Sequence, residues 1–133
     1  MTARITRGII IGMMVGLMAL GVSGWSEAKV VKVGAAINMT GPASSWGQFH
    51  ARGQQDYFRY VNEVKGGVAG NRIEMLLVDT AYKVPEAVAA VRKFAVQEKV
   101  DMIATWGAGE GLAAKPIIQT YKIPTINYST SWE

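Results

Sequence analysis

The chain has 133 residues, 50% of them hydrophobic and 18% charged, with a net charge of +4 and no cysteine. That mixture is enough for one folded globular domain and excludes a disordered chain, while the missing thiols exclude disulfides, thiolate metal sites and lipid attachment through a cysteine. Beyond residue 28 the lysines and arginines stand singly among acids, apart from the pair Arg92-Lys93, so there is no basic stripe of the kind nucleic acid requires.

Residues 1–28 read as a cleaved secretory signal. "MTARITR" carries two arginines and no acid, "GIIIGMMVGLMALGV" is apolar, and "SEA" supplies the small-x-small pattern at which signal peptidase cuts, placing the mature start at or near residue 29. A retained anchor is the alternative, but it wants about 20 apolar residues, and Gly8, Gly12, Gly16 and Gly21 interrupt this run.

Residues 30–37, "VVKVGAAI", form a short valine-rich apolar run, the mark of a strand covered on both faces in a parallel sheet. From about Ser45 to Val64 the period changes, and Phe49, Tyr57, Tyr60, Val61 and Val64 are expected to form the buried stripe of a helix, with Phe58 in the core or at its margin. Gly66-Gly67 should end that helix, and Gly70-Asn71 should turn the chain into a second strand, Ile73–Val78. "VPEAVAAVRKFAVQEK" reads as the next helix, with Pro85 in its first turn, Glu86 near its positive end, and Val88, Val91, Phe94 and Ala95 on one side. "VDMIAT" is a third strand, "LAAKPIIQTYK" a third helix, and "IPTINY" a fourth strand. Pro116 implies that this third helix begins late or bends.

The predicted fold class is therefore α/β, a parallel doubly wound sheet in the order β-α-β-α-β-α-β. The chain stops at "SWE" directly after the fourth strand, with no helix to cover it, which suggests a fragment: residues 29–133 as the first part of a larger domain.

In such a sheet ligands sit beyond the carboxyl ends of the strands. Four loops should meet there: "NMTGPASSWG", "DTAYKVP", "TWGAGEG" and "NYSTSWE". Ser44 and Ser45 are expected to cap the first helix, and Trp46 to offer an indole face to a ligand. Gly107, Gly109 and Gly111 leave amides unshielded before a helix, where a carboxylate or phosphate can approach. A dinucleotide fingerprint would have to follow the first strand, and this one follows the third, so no cofactor is implied. Glu110 either pairs with a ligand amine or complements the positive helix end, and Asp79 is expected to order its neighbouring loop. Catalytic constellations are missing from the sequence: His50 is the only histidine and reads as a solvated or half-buried helix residue, no metal set is present, and no "GxSxG" elbow occurs. The chain is not expected to be an enzyme.

Taken together, "VKVGAAINMTGPASSWG", "VNEVKGGVAGNRIEMLLVD", "PEAVAAVRKFAVQEKVDMIA" and "KIPTINYSTS" resemble the start of the leucine/isoleucine/valine-type substrate-binding proteins of ABC importers, periplasmic binding proteins of the first structural type. The likeness spans nearly all of residues 30–131. It implies the N-terminal lobe of a two-lobed, periplasmic protein that closes on a small organic solute and delivers it to the membrane subunits of an ABC permease. It also implies ligand contacts at Ser45 and Trp46, at Trp106, Gly107, Ala108 and Gly109, and at Ser129, Thr130 and Ser131. The loop "GAGEG" departs from the family by lacking a serine or threonine hydroxyl at Ala108 or Gly109. The solute is left open among an amino acid, an amide and an aromatic acid. A sensory ectodomain on the same lobe and an exported enzyme on a doubly wound sheet are the alternative readings.

Overall fold

In the computed structural model residues 29–129 are described; the expected signal segment, Thr130 and Ser131 lie outside them. Four strands, β1 (Val30–Ile37), β2 (Arg72–Asp79), β3 (Met102–Trp106) and β4 (Thr125–Tyr128), alternate with helices α1 (Ser44–Glu63), α2 (Val84–Lys93) and α3 (Ala108–Tyr121). All pairings are parallel and the sheet order is β2-β1-β3-β4. The predicted α/β class and element order are what the chain adopts.

Alternation along β1 sorts its side chains between two cores, as the two-residue period of a strand requires. Ala36 faces α2 and α3, joining Val91, Phe94, Ile103 and Ala114. Ala35 and Ile37 face α1, joining Ala51 and Ala104. The small residues of β1 let helices come close. A Cβ on Gly34 would lie 2.6 Å from the Phe94 ring, and one on Gly47 would lie 2.0 Å from the Asn38 carbonyl oxygen.

Helix α1 ends as expected. Gly66 and Gly67 have φ of 72° and 87°, and the Gly67 N–H donates back to the Val61 carbonyl, the long closing bond of a Schellman-type end. Asn62 fixes the direction of the chain after it, its side chain donating to the Ile73 carbonyl and accepting from the Ile73 N–H at 2.8 Å each.

Three local expectations are corrected. The stripe of Phe49, Tyr57, Tyr60 and Val64 is exposed rather than buried, Phe49 at 73%. Helix α1 instead docks through Gly47 and Ala51, with Phe58 and Val61 half-buried, because small residues allow the closer approach to β1. The third helix begins at Ala108, four residues before its expected start, because Gly107, at φ 95°, turns the chain sharply enough to start it. Gly111 is tolerated in its first turn because a Cβ there would lie 2.1 Å from the Asn127 amide, so closeness to β4 overrides helix propensity. Pro116 lies inside this helix without stopping it; Leu112, whose carbonyl loses its partner, is exposed to water. Finally, α2 runs into one π-helical turn, Phe94–Glu98, closed by Lys99 at φ 50°. That wider turn keeps both Phe94 and Ala95 buried.

Because α1 lies over β1 and β2 while α2 and α3 occupy the opposite face, the start of β3 and the whole of β4 are left uncovered on the α1 side. An open apolar groove of about 490 Å³ runs there, lined by Val33, Phe49, Tyr57, Met102, Ile126 and Tyr128 among others. No helix among the described residues is long and apolar enough to cross a membrane.

The Gly34–Phe94 approach yields a test. Gly34→Ala should destabilise the fold by about 1–3 kcal/mol through overpacking, and Phe94→Leu in the same chain should recover part of that loss in urea unfolding.

Candidate functional site at the carboxyl border of the sheet

The strand order reverses direction at β1: the chain steps from β1 to β2 on one side, then crosses back to β3 on the other. Helix α1 therefore leaves β1 over one face and α3 leaves β3 over the opposite face. Their connections diverge, and the crevice they leave is the usual ligand position in an open α/β sheet. By topology, residues 38–43 lie on one side of that position and Gly107 with the first turn of α3 on the other.

The first bank is held by Asp79 at the tip of β2. Its Oδ1 accepts from the Met39, Thr40 and Ala81 N–H groups at 2.8, 3.1 and 2.9 Å, and its Oδ2 accepts from the Thr40 hydroxyl at 2.6 Å. The loop-ordering role expected of Asp79 is thus present, and it extends to two loops. Desolvation alone would raise the Asp79 pKa, but the four hydrogen bonds outweigh it and hold the carboxyl below its ordinary 3.8. Gly41, at φ 81°, lies against the Ala81 carbonyl, where a Cβ would come within 2.6 Å. The Asn38 amide donates to the Ala43 carbonyl and the Gln48 amide to the Met39 carbonyl, both at 2.9 Å.

These bonds replace the expected serine cap. The residue preceding α1 is Ala43, and no side chain caps the helix. Ser44 and Ser45 already lie within the first turn, Ser45 exposed. Asn38 and Gln48 fix this segment from outside the cap position, so the serine hydroxyls are not needed for it.

Trp46 stands in the same turn, 71% exposed. Trp106 ends β3 half-buried and packs against the α1-side core of Ala35, Ile37, Ala51 and Ala104. Gly107 is buried, Ala108 half-buried and Gly109 exposed, and Ser129 follows β4 directly. All of these lie at the carboxyl ends of parallel strands, hence along one border of the sheet. Thr130 and Ser131 are outside the described residues.

The second bank holds a group that sequence reasoning placed only loosely. Glu110, in the first turn of α3, is 3% exposed. Its Oε2 lies 2.6 Å from the place a Gly107 Cβ would occupy, so the side chain folds back toward the strand–helix junction. Burial raises its pKa, and the adjacent Thr80 hydroxyl offsets part of that rise, although neither carboxyl oxygen has a hydrogen-bond partner of good geometry. The hydroxyls of Thr80 and Thr105, both 0% exposed, are likewise unpartnered.

Sequence reasoning did not single out Thr80 or Tyr82. Thr80 continues the inward alternation of Leu76 and Val78 past the end of β2, which was a readable signal. Tyr82 holds φ 59°, a left-handed conformation that brings its ring within 3.2 Å of a Gly107 Cβ position, and nothing local encodes it.

His50 is half-buried as expected. Its ring meets the Tyr128 ring edge-on with centroids 4.0 Å apart, and Gln54 bridges it to the Tyr128 hydroxyl. Burial lowers its pKa. Among the described residues no group of acids and histidine could hold a metal ion.

A doubly wound parallel sheet with such a polar, aromatic border is an open α/β unit of the class in which ligands sit beyond the strand ends. The chain belongs to the periplasmic binding protein family, whose sequence profile matches residues 30–133. The Leu/Ile/Val-binding protein of Citrobacter freundii is 32% identical over 81 residues, which are 61% of this chain and 22% of that protein. Among solved structures, the branched-chain amino acid transporter substrate-binding protein of Streptococcus pneumoniae in complex with isoleucine superimposes with TM-score 0.70 at 25% identity, over 79% of this chain and 30% of that one. An ABC transporter solute-binding protein of R. palustris in complex with 4-hydroxybenzoate gives TM-score 0.64 at 27% identity, over 74% and 27% respectively. The chain thus spans about a fifth of the length of the curated relatives it matches.

Two expected outcomes follow from the charges. Asp79 has a folded pKa below its unfolded one, so its contribution is full above pH 3.8 and is lost as pH falls through the folded value. Asp79→Asn should therefore cost on the order of 1 kcal/mol at neutral pH after solvent screening, with the gap to wild type closing in acid unfolding curves. The depressed His50 pKa acts over a higher range: stability should fall as pH drops below 6.5 toward the folded value. His50→Gln should flatten that part of a thermal-midpoint profile against pH.

Proposed function

We propose that this chain is part of the extracytoplasmic solute-binding component of an ABC importer. Residues 1–28 direct export and are removed, and residues 29–133 form the first part of lobe 1. The full-length product captures a small organic solute between two lobes in the periplasm and hands it to the permease membrane subunits. It performs no chemistry on the solute, in keeping with a border built from amides, hydroxyls and indoles rather than from a nucleophile and base.

The observation that carries this reading is the family match together with the reversal of strand order between β1 and β3, which opens the crevice beside Trp46 and the Trp106–Gly109 turn. Ser45, Trp46, Trp106, Gly107, Ala108, Gly109, Ser129, Thr130 and Ser131 are the proposed contact residues. An indole as exposed as Trp46 costs free energy in water unless a ligand or a second wall covers it. The ligands named for two superimposable structures, isoleucine and 4-hydroxybenzoate, are both small organic solutes, in keeping with this reading.

The bare apolar groove beside α1 supports the same assignment of residues 29–133 to a larger lobe. Relatives several times longer have chain to spare for covering it.

Calorimetry checks the proposal on the full-length product and on residues 29–133 alone. The former should bind one small solute tightly and the latter little or not at all, because affinity comes from groups on both walls and from water excluded between them. Trp46→Ala in the full-length protein should weaken binding about tenfold, ~1.4 kcal/mol, and equal affinity of wild type and variant would remove Trp46 from the site.

A further inference from the structure

The loop between β2 and α2 holds a backbone conformation that its residues do not favour. The Lys83 N–H donates to the Thr80 carbonyl at 2.8 Å, closing a four-residue turn, and both central residues, Ala81 and Tyr82, have positive φ, 49° and 59°. Turns with two such positions select glycine, asparagine or aspartate, because a Cβ in the left-handed region crowds the backbone. Neither alanine nor tyrosine answers that preference. Strained residues of this kind persist only where surrounding contacts hold them, and they gather at ligand sites.

Here the contacts run to both sides of the crevice. On one side the Asp79 carboxylate accepts from the Ala81 N–H as well as from those of Met39 and Thr40, and the Ala81 carbonyl lies against Gly41. On the other side the Tyr82 ring comes within 3.2 Å of the place a Gly107 Cβ would occupy. Because β1 lies between β2 and β3, and neighbouring strands are about 4.8 Å apart, the ring reaches from the loop after β2 to the residue after β3, beyond the end of the strand between them. That is where an open α/β sheet holds its ligand. Gly107 is buried there, yet Tyr82 remains 49% exposed, so much of its side chain is left open.

We infer that Tyr82 is a solute-contact residue of this crevice, presenting the open part of its ring to the apolar body of the solute. The inference rests on the solute-binding reading above and adds the loop after β2 to the proposed contacts. Were the turn all that position 82 had to serve, asparagine or glycine would serve it better. A tyrosine kept there at the expense of backbone preference supplies what those residues lack, a broad rigid apolar face with a polar tip. Ligand pockets are lined by such aromatic surface with a few polar groups to fix orientation. The tie through Asp79 and Gly41 holds the turn in place while the solute enters, so the ring is positioned before binding rather than by it.

The test compares wild type, Tyr82→Asn, Tyr82→Gly and Tyr82→Phe in the full-length protein. Calorimetry with 4-hydroxybenzoate, benzamide and isoleucine as probes reads binding, and the thermal midpoint of each unliganded protein reads stability. Asparagine and glycine accept positive φ and remove the ring, so their unliganded midpoints should equal or exceed that of wild type. Their affinity for the tightest-bound probe should fall about tenfold, the share of one aromatic contact, and Tyr82→Phe, which keeps the ring, should lose less than either. Unchanged affinity in Tyr82→Asn and Tyr82→Gly overturns the inference while leaving solute binding intact. Lower affinity accompanied by a lower unliganded midpoint also overturns it, since the ring is then a prop for Gly107 rather than a contact. Failure of wild type to bind any of the three probes overturns the inference together with the reading beneath it.

Discussion

Parallel pairing on both sides of β1 forces every connection to cross over a face of the sheet, and the remaining architecture follows from which face each crossover takes. A parallel ladder cannot be closed by a hairpin, so a helix must carry the chain back each time. With β1 in the interior, its side chains are buried above and below, and its Gly34-Ala35-Ala36 stretch sets how near α1 and α2 can approach. The same rule sends all four strand ends to one border. The crevice is therefore a consequence of topology before it is a consequence of any side chain.

At that border two carboxylates illustrate how environment divides one functional group into different tasks. Asp79 is exposed to water and surrounded by donors, so it stays charged and ties the loop after β1 to the loop after β2. Glu110 is buried with only the Thr80 hydroxyl to offset its desolvation, so its charged form is disfavoured. The first fixes the geometry of the two loops it joins, and the second is sealed at the strand–helix junction. An acid at the strand border can play either role, and the number of donors aimed at it makes the difference.

The exposed aromatic face of α1 belongs to the same logic of crossovers. One helix cannot cover four strands, and α1 sits over β1 and β2, leaving Phe49 and Tyr57 beside the open groove along β3 and β4. Apolar residues at helical spacing had pointed to burial, which is sound for a helix as part of a finished layer. Whether the layer is finished is not a property of the helix.

The order of elements, the parallel class, the glycine end of α1, the proline start of α2 and the loop-ordering part of Asp79 were legible in the sequence, because each depends on periodicity or on the backbone preferences of one or two residues. The candidate border was legible for the same reason, since strand ends can be located without knowing where they meet. What only the tertiary structure decided depends on partners distant in the chain: which stripe of α1 docks, that Asn38 and Gln48 do the work assigned to a serine cap, that Gly111 tolerates a helix because Asn127 lies against it, and that Glu110 is buried beside Thr80. Local sequence fixes torsions and spacing, whereas burial and hydrogen-bond pairing are set by what the rest of the chain brings within a few ångströms.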